Sequence, residues 1–130
     1  MQDENSISRL PEIVQKYLGA YNSADVATLI DCVTEAVVFE NHSSSGGSLK
    51  VEGREAFGEL AQQAATLFTA RRQSVRTAVI NGSTVALEVD WTGTPAVDIG
   101  TMKAGTTVAL RGASFLMISG GKLARITDIG

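Results

Sequence analysis

The sequence contains few of the residues that form disulfides in small domains or bind metal ions. Among 130 residues there is one cysteine, Cys32, and one histidine, His42. A single cysteine excludes an internal disulfide. One Cys and one His on different predicted elements are too few for a zinc site and make no convincing nucleophile pair. No glycine-rich phosphate-binding motif is present. The sequence therefore predicts neither a metal nor a cofactor.

Charge and long apolar runs are also scarce. The formal net charge is −3, from 11 basic and 14 acidic residues, so no basic face for nucleic acid or an anionic membrane is expected. No apolar run approaches the ~18 residues of a membrane helix. The N-terminal MQDENS is polar and acidic, unlike a signal peptide. We expect a cytoplasmic protein in a bacterial setting.

What the sequence does have is enough apolar material for a core. Hydrophobic residues make up 44% of the chain, which argues against disorder. A chain of this length buries roughly two-thirds of its unfolded surface and can fold without disulfides or bound metals. No repeat or linker interrupts it, so the sequence predicts a single domain over residues 1–130.

Apolar residues recur at helical spacing in the first part of the chain. Three helices are predicted: one from a Ser8 N-cap to about residue 21, one capped by Asp25, and one opened by Gly53. Arg71 and Arg72 are expected at the end of the third helix, where cations suit the helix dipole. The inner face of the second helix is predicted to be Val26, Leu29, Ile30 and Val33, and that of the third Phe57, Leu60, Ala61, Ala64, Leu67 and Phe68.

Later segments follow the two-residue period of strands. In 85–91 one face is predicted to carry Val85, Leu87, Val89 and Trp91, and the other Ala86, Glu88 and Asp90. Strands are predicted at 36–42, 49–51, 74–80, 84–92, 106–119 and 122–129, with a type I′ turn at Asn81-Gly82. Helices followed by an antiparallel meander indicate an α+β fold. The long strand 106–119 is apolar on both faces, which a sheet with one buried face should not be. We therefore expect a second copy of the chain to cover part of the outer face.

Four segments in this order carry a family resemblance: YLGAYNSAD at 17–25, EAVVFEN at 35–41, VEGREAF at 51–57 and SGGKLARITD at 119–128. Together they resemble the nuclear-transport-factor-2-like superfamily, and within it the polyketide-cyclase-like (SnoaL-like) group. The resemblance implies a cystatin-like cone: three N-terminal helices on a strongly curved mixed or antiparallel sheet, around an internal pocket. It also implies a homodimer and a small hydrophobic ligand.

Two branches of that superfamily match only in part. The ketosteroid-isomerase branch implies a tyrosine, matched by Tyr17, but its aspartate base is replaced by Asn41, which disfavours that reaction. The epoxide-hydrolase branch implies a tyrosine, an asparagine, an arginine and two aspartates. This chain keeps the asparagine as Asn41 and the aspartates as Asp90 and Asp128. It has Phe39 in place of the tyrosine and Glu88 in place of the arginine.

The polyketide-cyclase branch needs one acid in an apolar pocket, so Asp128 or Asp90 is the expected acid/base, with Asn41 and Tyr17 orienting the substrate. A buried carboxyl has a raised pKa suited to proton transfer near neutral pH. The other expected substrate contacts are Tyr21, Phe39, Phe57, Leu60, Glu88 and Phe115. By strand alternation His42 points outward.

Solvated positions without a catalytic role stay open as alternatives for the three acids. Glu88 and Asp90 also fit the solvated face of a strand, and Asp128 fits a solvated chain end. Two functions are therefore compatible with the sequence. One is a cofactor-free lyase, isomerase or hydrolase that acts on a small hydrophobic molecule by carboxylate acid/base chemistry. The other is a non-catalytic ligand-binding or dimerisation module on the same fold.

Overall fold

A computed structural model describes residues 9–43 and 47–130. Within these ranges there are three helices, α1 (Glu12–Asn22), α2 (Val26–Asp31) and α3 (Arg54–Leu67). The strands are β1 (Val33–His42), β2 (Ser48–Glu52), β3 (Phe68–Asn81), β4 (Thr84–Pro95), β5 (Val108–Ser119) and β6 (Lys122–Ile129). The α+β class and the order of elements predicted from the sequence are confirmed. The predicted Ser8 cap lies outside the described residues.

The six strands form one mixed sheet in the order β2-β1-β6-β5-β4-β3. All neighbours are antiparallel except β1 and β6, which are parallel. This parallel pair brings the end of the chain into the middle of the sheet, with Asn41 opposite Asp128. Gly130 donates its backbone N–H to the carbonyl of His42 at 3.0 Å. Asp128 therefore lies in a strand paired on both sides and is not a frayed chain end.

Local signals set the helix starts. Asp25 caps α2, as predicted, by accepting hydrogen bonds from the Thr28 amide at 3.2 Å and the Thr28 hydroxyl at 2.7 Å. Gly53 precedes α3 with a φ of 96°, a conformation that favours glycine. Asn22 ends α1, and its side chain exchanges two hydrogen bonds with the backbone of Gln73, at 2.7 and 3.1 Å. This exchange ties the end of α1 to β3.

Two junctions between a helix and a strand differ from the sequence prediction. Helix α3 stops at Leu67 and β3 begins at Phe68, so Arg71 and Arg72 belong to a strand and do not end a helix. Val33 starts β1, since α2 ends before it. In each case the apolar helical spacing continues past the last helical residue, and pairing with neighbouring strands, which local sequence does not reveal, ends the helix.

The tip of the β3–β4 hairpin also differs. Asn81 pairs with Thr84, so the central residues of the turn are Gly82 and Ser83 and not Asn81-Gly82. Of the two, only Gly82 has a positive φ, 61°. A positive φ at the first central position alone is the pattern of a type II′ turn, so the type I′ prediction is wrong.

The core lies between the helices and one face of the sheet. Its fully buried members come from α1 and from strands β1, β3, β4, β5 and β6, for example Val14, Val37, Val75, Val85, Leu116 and Ile126. In β4 the buried parity is Val85, Leu87 and Val89, as predicted from alternation. No helix within the described ranges is long and apolar enough to cross a membrane.

Candidate functional site

A cavity of about 550 Å³ lies between the helices and the inner face of the sheet. We call it the central cavity. Apolar and aromatic side chains line most of it, among them Tyr17, Tyr21, Phe39, Phe57, Leu60, Phe68, Val89, Trp91 and Leu110. Polar or charged groups are contributed by Asn41, Arg71, Gln73, Ser114 and Asp128. An apolar cavity of this size with a few convergent polar groups is typical of a site for a small organic molecule.

Asp128 is the acid of the central cavity. It lies on β6 opposite Ser114 of β5, and the Ser114 hydroxyl donates a hydrogen bond to Asp128 Oδ1 at 2.6 Å. Burial raises the pKa of Asp128 to about 6, although the Ser114 hydrogen bond acts in the opposite direction. Close to neutral pH this carboxyl can therefore either take up or release a proton.

The two tyrosines of α1 lie beside this acid. Tyr17 and Tyr21 are one helical turn apart, with ring centroids separated by 6.5 Å. Burial raises the pKa of each phenol, and the negative charge of Asp128 adds to the rise. Both phenols therefore stay protonated at neutral pH and can donate a hydrogen bond to an oxygen of a ligand.

An aromatic wall built from α1, β3 and β4 closes another side of the central cavity. The Trp91 indole N–H donates to the Tyr21 hydroxyl at 2.9 Å, and the Phe68 and Trp91 rings meet edge to face at 5.5 Å. The indole also covers Gly93, where an added Cβ would lie 2.3 Å from a ring carbon. A glycine is needed there because any side chain would displace the indole.

Arg71 supplies a cation that the sequence analysis missed. On β3 it shares a face with the buried Gln73 and Val75, and its guanidinium carbon lies 4.0 Å from the centroid of the Tyr21 ring. Arg71 was predicted at the end of a helix, and that position gave no reason to place it in the cavity. The alternation of Arg71, Gln73 and Val75 is the sequence signal for the inward position of Arg71, but it lies partly before residue 74, where the strand was predicted to begin.

Seven of the ten predicted site residues do line the central cavity: Tyr17, Tyr21, Phe39, Asn41, Phe57, Leu60 and Asp128. Phe39 and Phe57 touch edge to face, with centroids 5.9 Å apart. Asn41 is exposed at the mouth of the cavity, next to Asp128. His42 and Glu40 face the other way, where Glu40 bridges His42 and Arg125.

The prediction that Asp90 and Glu88 lie in the pocket is wrong. Both are on the outer face of β4, with side chains 43% and 45% exposed. Arg111 and Arg76 donate to Asp90 at 2.8 and 3.0 Å, and these bonds, Arg111 first, lower the pKa of that carboxyl. Arg111 also reaches Glu88 at 3.2 Å. The solvated-face alternative therefore describes these two acids, and they form no acid pair with Asp128.

Phe115 is likewise misplaced by the sequence analysis. It is 42% exposed and alternates with the buried Ser114 and Leu116, so its ring lies on the outer face of β5. A strand side chain one position out of phase reaches the opposite face of the sheet. The position of Ser114, inside and against Asp128, follows from the same alternation.

A second concave region of about 1050 Å³ lies outside α3, bordered by Arg54 and by Glu35, Glu52, Glu55 and Glu59. It is larger than the central cavity but open to solvent and strongly acidic. Within residues 9–43 and 47–130 no group of His, Cys, Asp and Glu is arranged to hold a metal ion. The central cavity, with its apolar lining and the carboxyl of Asp128, is therefore the candidate functional site.

Comparison with known proteins agrees with this geometry. Residues 14–126 match the model of the SnoaL-like domain. A candidate polyketide cyclase from Pseudomonas putida KT2440 is 26% identical, with a TM-score of 0.71 over 90% of this chain and 87% of that one. A candidate polyketide cyclase from Xanthomonas campestris pv. campestris is 24% identical, with a TM-score of 0.73 over 100% and 93%.

A third solved structure has a bound ligand. It is a protein of ketosteroid isomerase-like fold from Catenulispora acidiphila DSM 44928, in complex with trimethylamine, and it is 20% identical to this chain. Its TM-score is 0.73 over 91% of this chain and 84% of that one. No curated protein matches the chain at a significant level. The solved structures support the fold predicted from the sequence.

Proposed function

Because the chain belongs to the SnoaL-like family, we propose that it binds a small hydrophobic organic molecule in the central cavity and transforms it by acid/base chemistry on Asp128. The reaction class is a cofactor-free isomerase, lyase or hydrolase step that begins or ends with a proton transfer. The observation that carries the proposal is a carboxyl with a pKa of about 6 that lines an apolar cavity.

The neighbours of Asp128 suit this role. The hydroxyl of Ser114 holds Oδ1, which leaves Oδ2 without a hydrogen bond from any described residue and available to a substrate proton. Asn41 lies beside Asp128 at the mouth, where its amide can orient a substrate carbonyl. Tyr17 and Tyr21 can donate to an oxygen on which negative charge develops.

In the proposed step, Asp128 in its ionised form takes a proton from a carbon next to a carbonyl group. The electron pair of the C–H bond forms a C=C double bond, and the π pair of the carbonyl group moves to its oxygen, which becomes an enolate oxygen. A tyrosine hydroxyl or the Asn41 amide stabilises this oxygen by hydrogen bonding. Asp128 then returns its proton to carbon or to the leaving oxygen, so no cofactor is consumed.

Exchange of the benzylic protons of 2-tetralone for deuterium, followed by proton NMR in heavy water, tests this function. We expect the parent protein to accelerate exchange over buffer, and Asp128→Asn to reduce that acceleration roughly 100-fold, the usual contribution of a general base. Asp90→Asn is the matched control, because it removes an equivalent acid from the outer face. Acceleration that survives Asp128→Asn would contradict the proposed role.

The second candidate is a non-catalytic ligand-binding or dimerisation module. The aromatic wall favours it equally, since binding needs no acid. Trp91 is the only tryptophan of the chain and lines the central cavity, so its fluorescence reports binding directly. Quenching of Trp91 by 2-tetralone without any acceleration of exchange would assign the protein to this second class.

We also propose that the protein is a homodimer assembled through the outer face of the sheet. Val79, Ala86 and Phe115 lie side by side across β3, β4 and β5, and Val79 and Phe115 are 60% and 42% exposed. Exposed apolar side chains in adjacent strands are typical of a surface covered by a partner.

Analytical ultracentrifugation at micromolar concentration should give a species of twice 13.7 kDa. We expect Phe115→Glu to shift the protein to the monomer, because it places a charge in the centre of the contact. Val97→Glu provides the control, since Val97 is 51% exposed but lies outside the strands. A parent protein that sediments only as the monomer would rule out this assembly.

A further inference from the structure

Arg71 brings a positive charge to the central cavity without a carboxylate to neutralise it. Its guanidinium lies on the face of the Tyr21 ring, at 4.0 Å from the centroid. Within residues 9–43 and 47–130 no carboxylate oxygen lies within 4.0 Å of it. Its Nε is buried and finds no hydrogen-bond partner in the part of the chain that is described.

Four of the other arginines have partners within the protein, and Arg72, on the same strand, is exposed to solvent. Arg76 and Arg111 pair with Asp90, Arg125 pairs with Glu40, and Arg54 donates to the carbonyl of Val33 at 2.7 Å. Leaving the buried Nε–H of Arg71 without a partner is unfavourable, and the π face of one tyrosine offsets this only in part. This donor belongs to a residue that lines the central cavity and is therefore available to a ligand.

Asp128 is not the missing partner. The pKa of Asp128 is set by burial and by Ser114, and Arg71 makes no contribution to it. Tyr17 and Tyr21, in contrast, are influenced by both groups, since Asp128 raises and Arg71 lowers the pKa of each phenol. Since no ion pair within 4.0 Å joins Arg71 to Asp128 among the described residues, the acid does not neutralise the cation, and both charges act on the tyrosine pair.

From this arrangement we infer that the natural ligand is an apolar organic anion, a carboxylate on a hydrocarbon frame, whose ionised group pairs with Arg71. The guanidinium presents parallel N–H donors that fit a carboxylate. The aromatic wall holds the frame, and the reacting carbon is directed towards Asp128. The inference rests on the proposed binding function and adds to it the charge of the ligand.

Paired probes of equal shape test the inference. Isothermal titration calorimetry would compare 2-naphthoate with its neutral amide, 2-naphthamide, at about pH 5.5, where the aryl carboxylate is ionised and Asp128 is mostly protonated. The other ionisable groups that line the cavity have the same charge at pH 5.5 as at neutral pH. The tyrosines are neutral, and Arg111 stays charged with its acid partners on the outer face.

We expect the parent protein to bind naphthoate about 10-fold or more tightly than naphthamide, as a charge-assisted pair predicts. Arg71→Gln should abolish this preference and leave naphthamide affinity within about twofold, since the amide does not use the charge. Arg71→Lys keeps the charge but loses the planar fork, so it should retain an intermediate preference. Arg72→Gln, its exposed neighbour on the same strand, should behave as the parent does.

The outcomes separate the two proposals. Equal affinity of the parent for both probes, or a preference that survives Arg71→Gln, overturns the inference about the anion and leaves the binding function intact. Failure of both probes to bind contradicts the binding function as well. Urea unfolding of each variant confirms that it is folded, and the Arg71→Lys protein supplies the comparison if Arg71→Gln is not.

Discussion

Asp128→Asn should make the protein more stable at pH 8 while it lowers turnover. The carboxyl has a pKa of about 6 in the folded protein and about 3.8 in an unfolded chain. Below both values the acid is neutral in both states and has no effect. Between them the folded state binds more protons, so stability falls as the pH rises through this window. At higher pH the parent protein carries a buried charge that the asparagine variant lacks.

The difference between the two pKa values corresponds to about 2–3 kcal/mol of unfolding free energy. Urea unfolding of parent and Asp128→Asn from pH 3.5 to 8 measures it. The curves should coincide at the acid end and separate by that amount above about pH 6.5. Carbon-13 NMR of the side-chain carboxyls should show Asp128 titrating near 6.

Asp90→Asn serves as the control with the opposite sign. Its carboxyl accepts hydrogen bonds from Arg111 and Arg76, which lower its pKa, so stability from this group is lost as the pH falls. Its removal should slightly destabilise the protein at neutral pH. If Asp128 titrates near pH ~4 like an ordinary carboxyl and its substitution changes nothing, the acid/base function loses its basis.

Phe57→Ala should cost about 3 kcal/mol of unfolding free energy. Phe57 is 4% exposed, packs edge to face on Phe39, and holds α3 against the sheet. Large-to-small substitutions of buried aromatics cost about 3–5 kcal/mol, and the lower end applies because one side of the ring already borders a cavity. Binding of a hydrophobic probe should weaken too, since the aromatic lining is lost.

Chemical denaturation followed by Trp91 fluorescence measures the stability loss. Leu49→Ala is a suitable control, because Leu49 also lines the central cavity but is 43% exposed. It should cost well under 1 kcal/mol, as an exposed site does. A loss below about 1 kcal/mol for Phe57→Ala would show that α3 does not pack as described.

Much of the architecture could be predicted because it is written in short-range patterns. Asp25 as a helix cap and the alternation of Val85, Leu87 and Val89 depend on neighbours within a few residues, and both predictions are confirmed. Asp128 and Tyr17 were assigned to the pocket through the family resemblance, and the structure places both there. The roles proposed for them remain predictions.

The order of helices and strands, the apolar core and the absence of an internal disulfide follow from the amino-acid sequence, because each depends on composition or on a local period. Which charged groups face the central cavity depends instead on long-range strand pairing. Arg71 turns inward because β3 starts at Phe68 and pairs along β4, and Asp90 turns outward because one residue of phase separates it from Val89. Asp128 lies inside the sheet because β6 pairs with β5 on one side and with a parallel partner, β1, from a distant part of the chain on the other. Such long-range pairings set the face of every strand residue, and no local pattern encodes them.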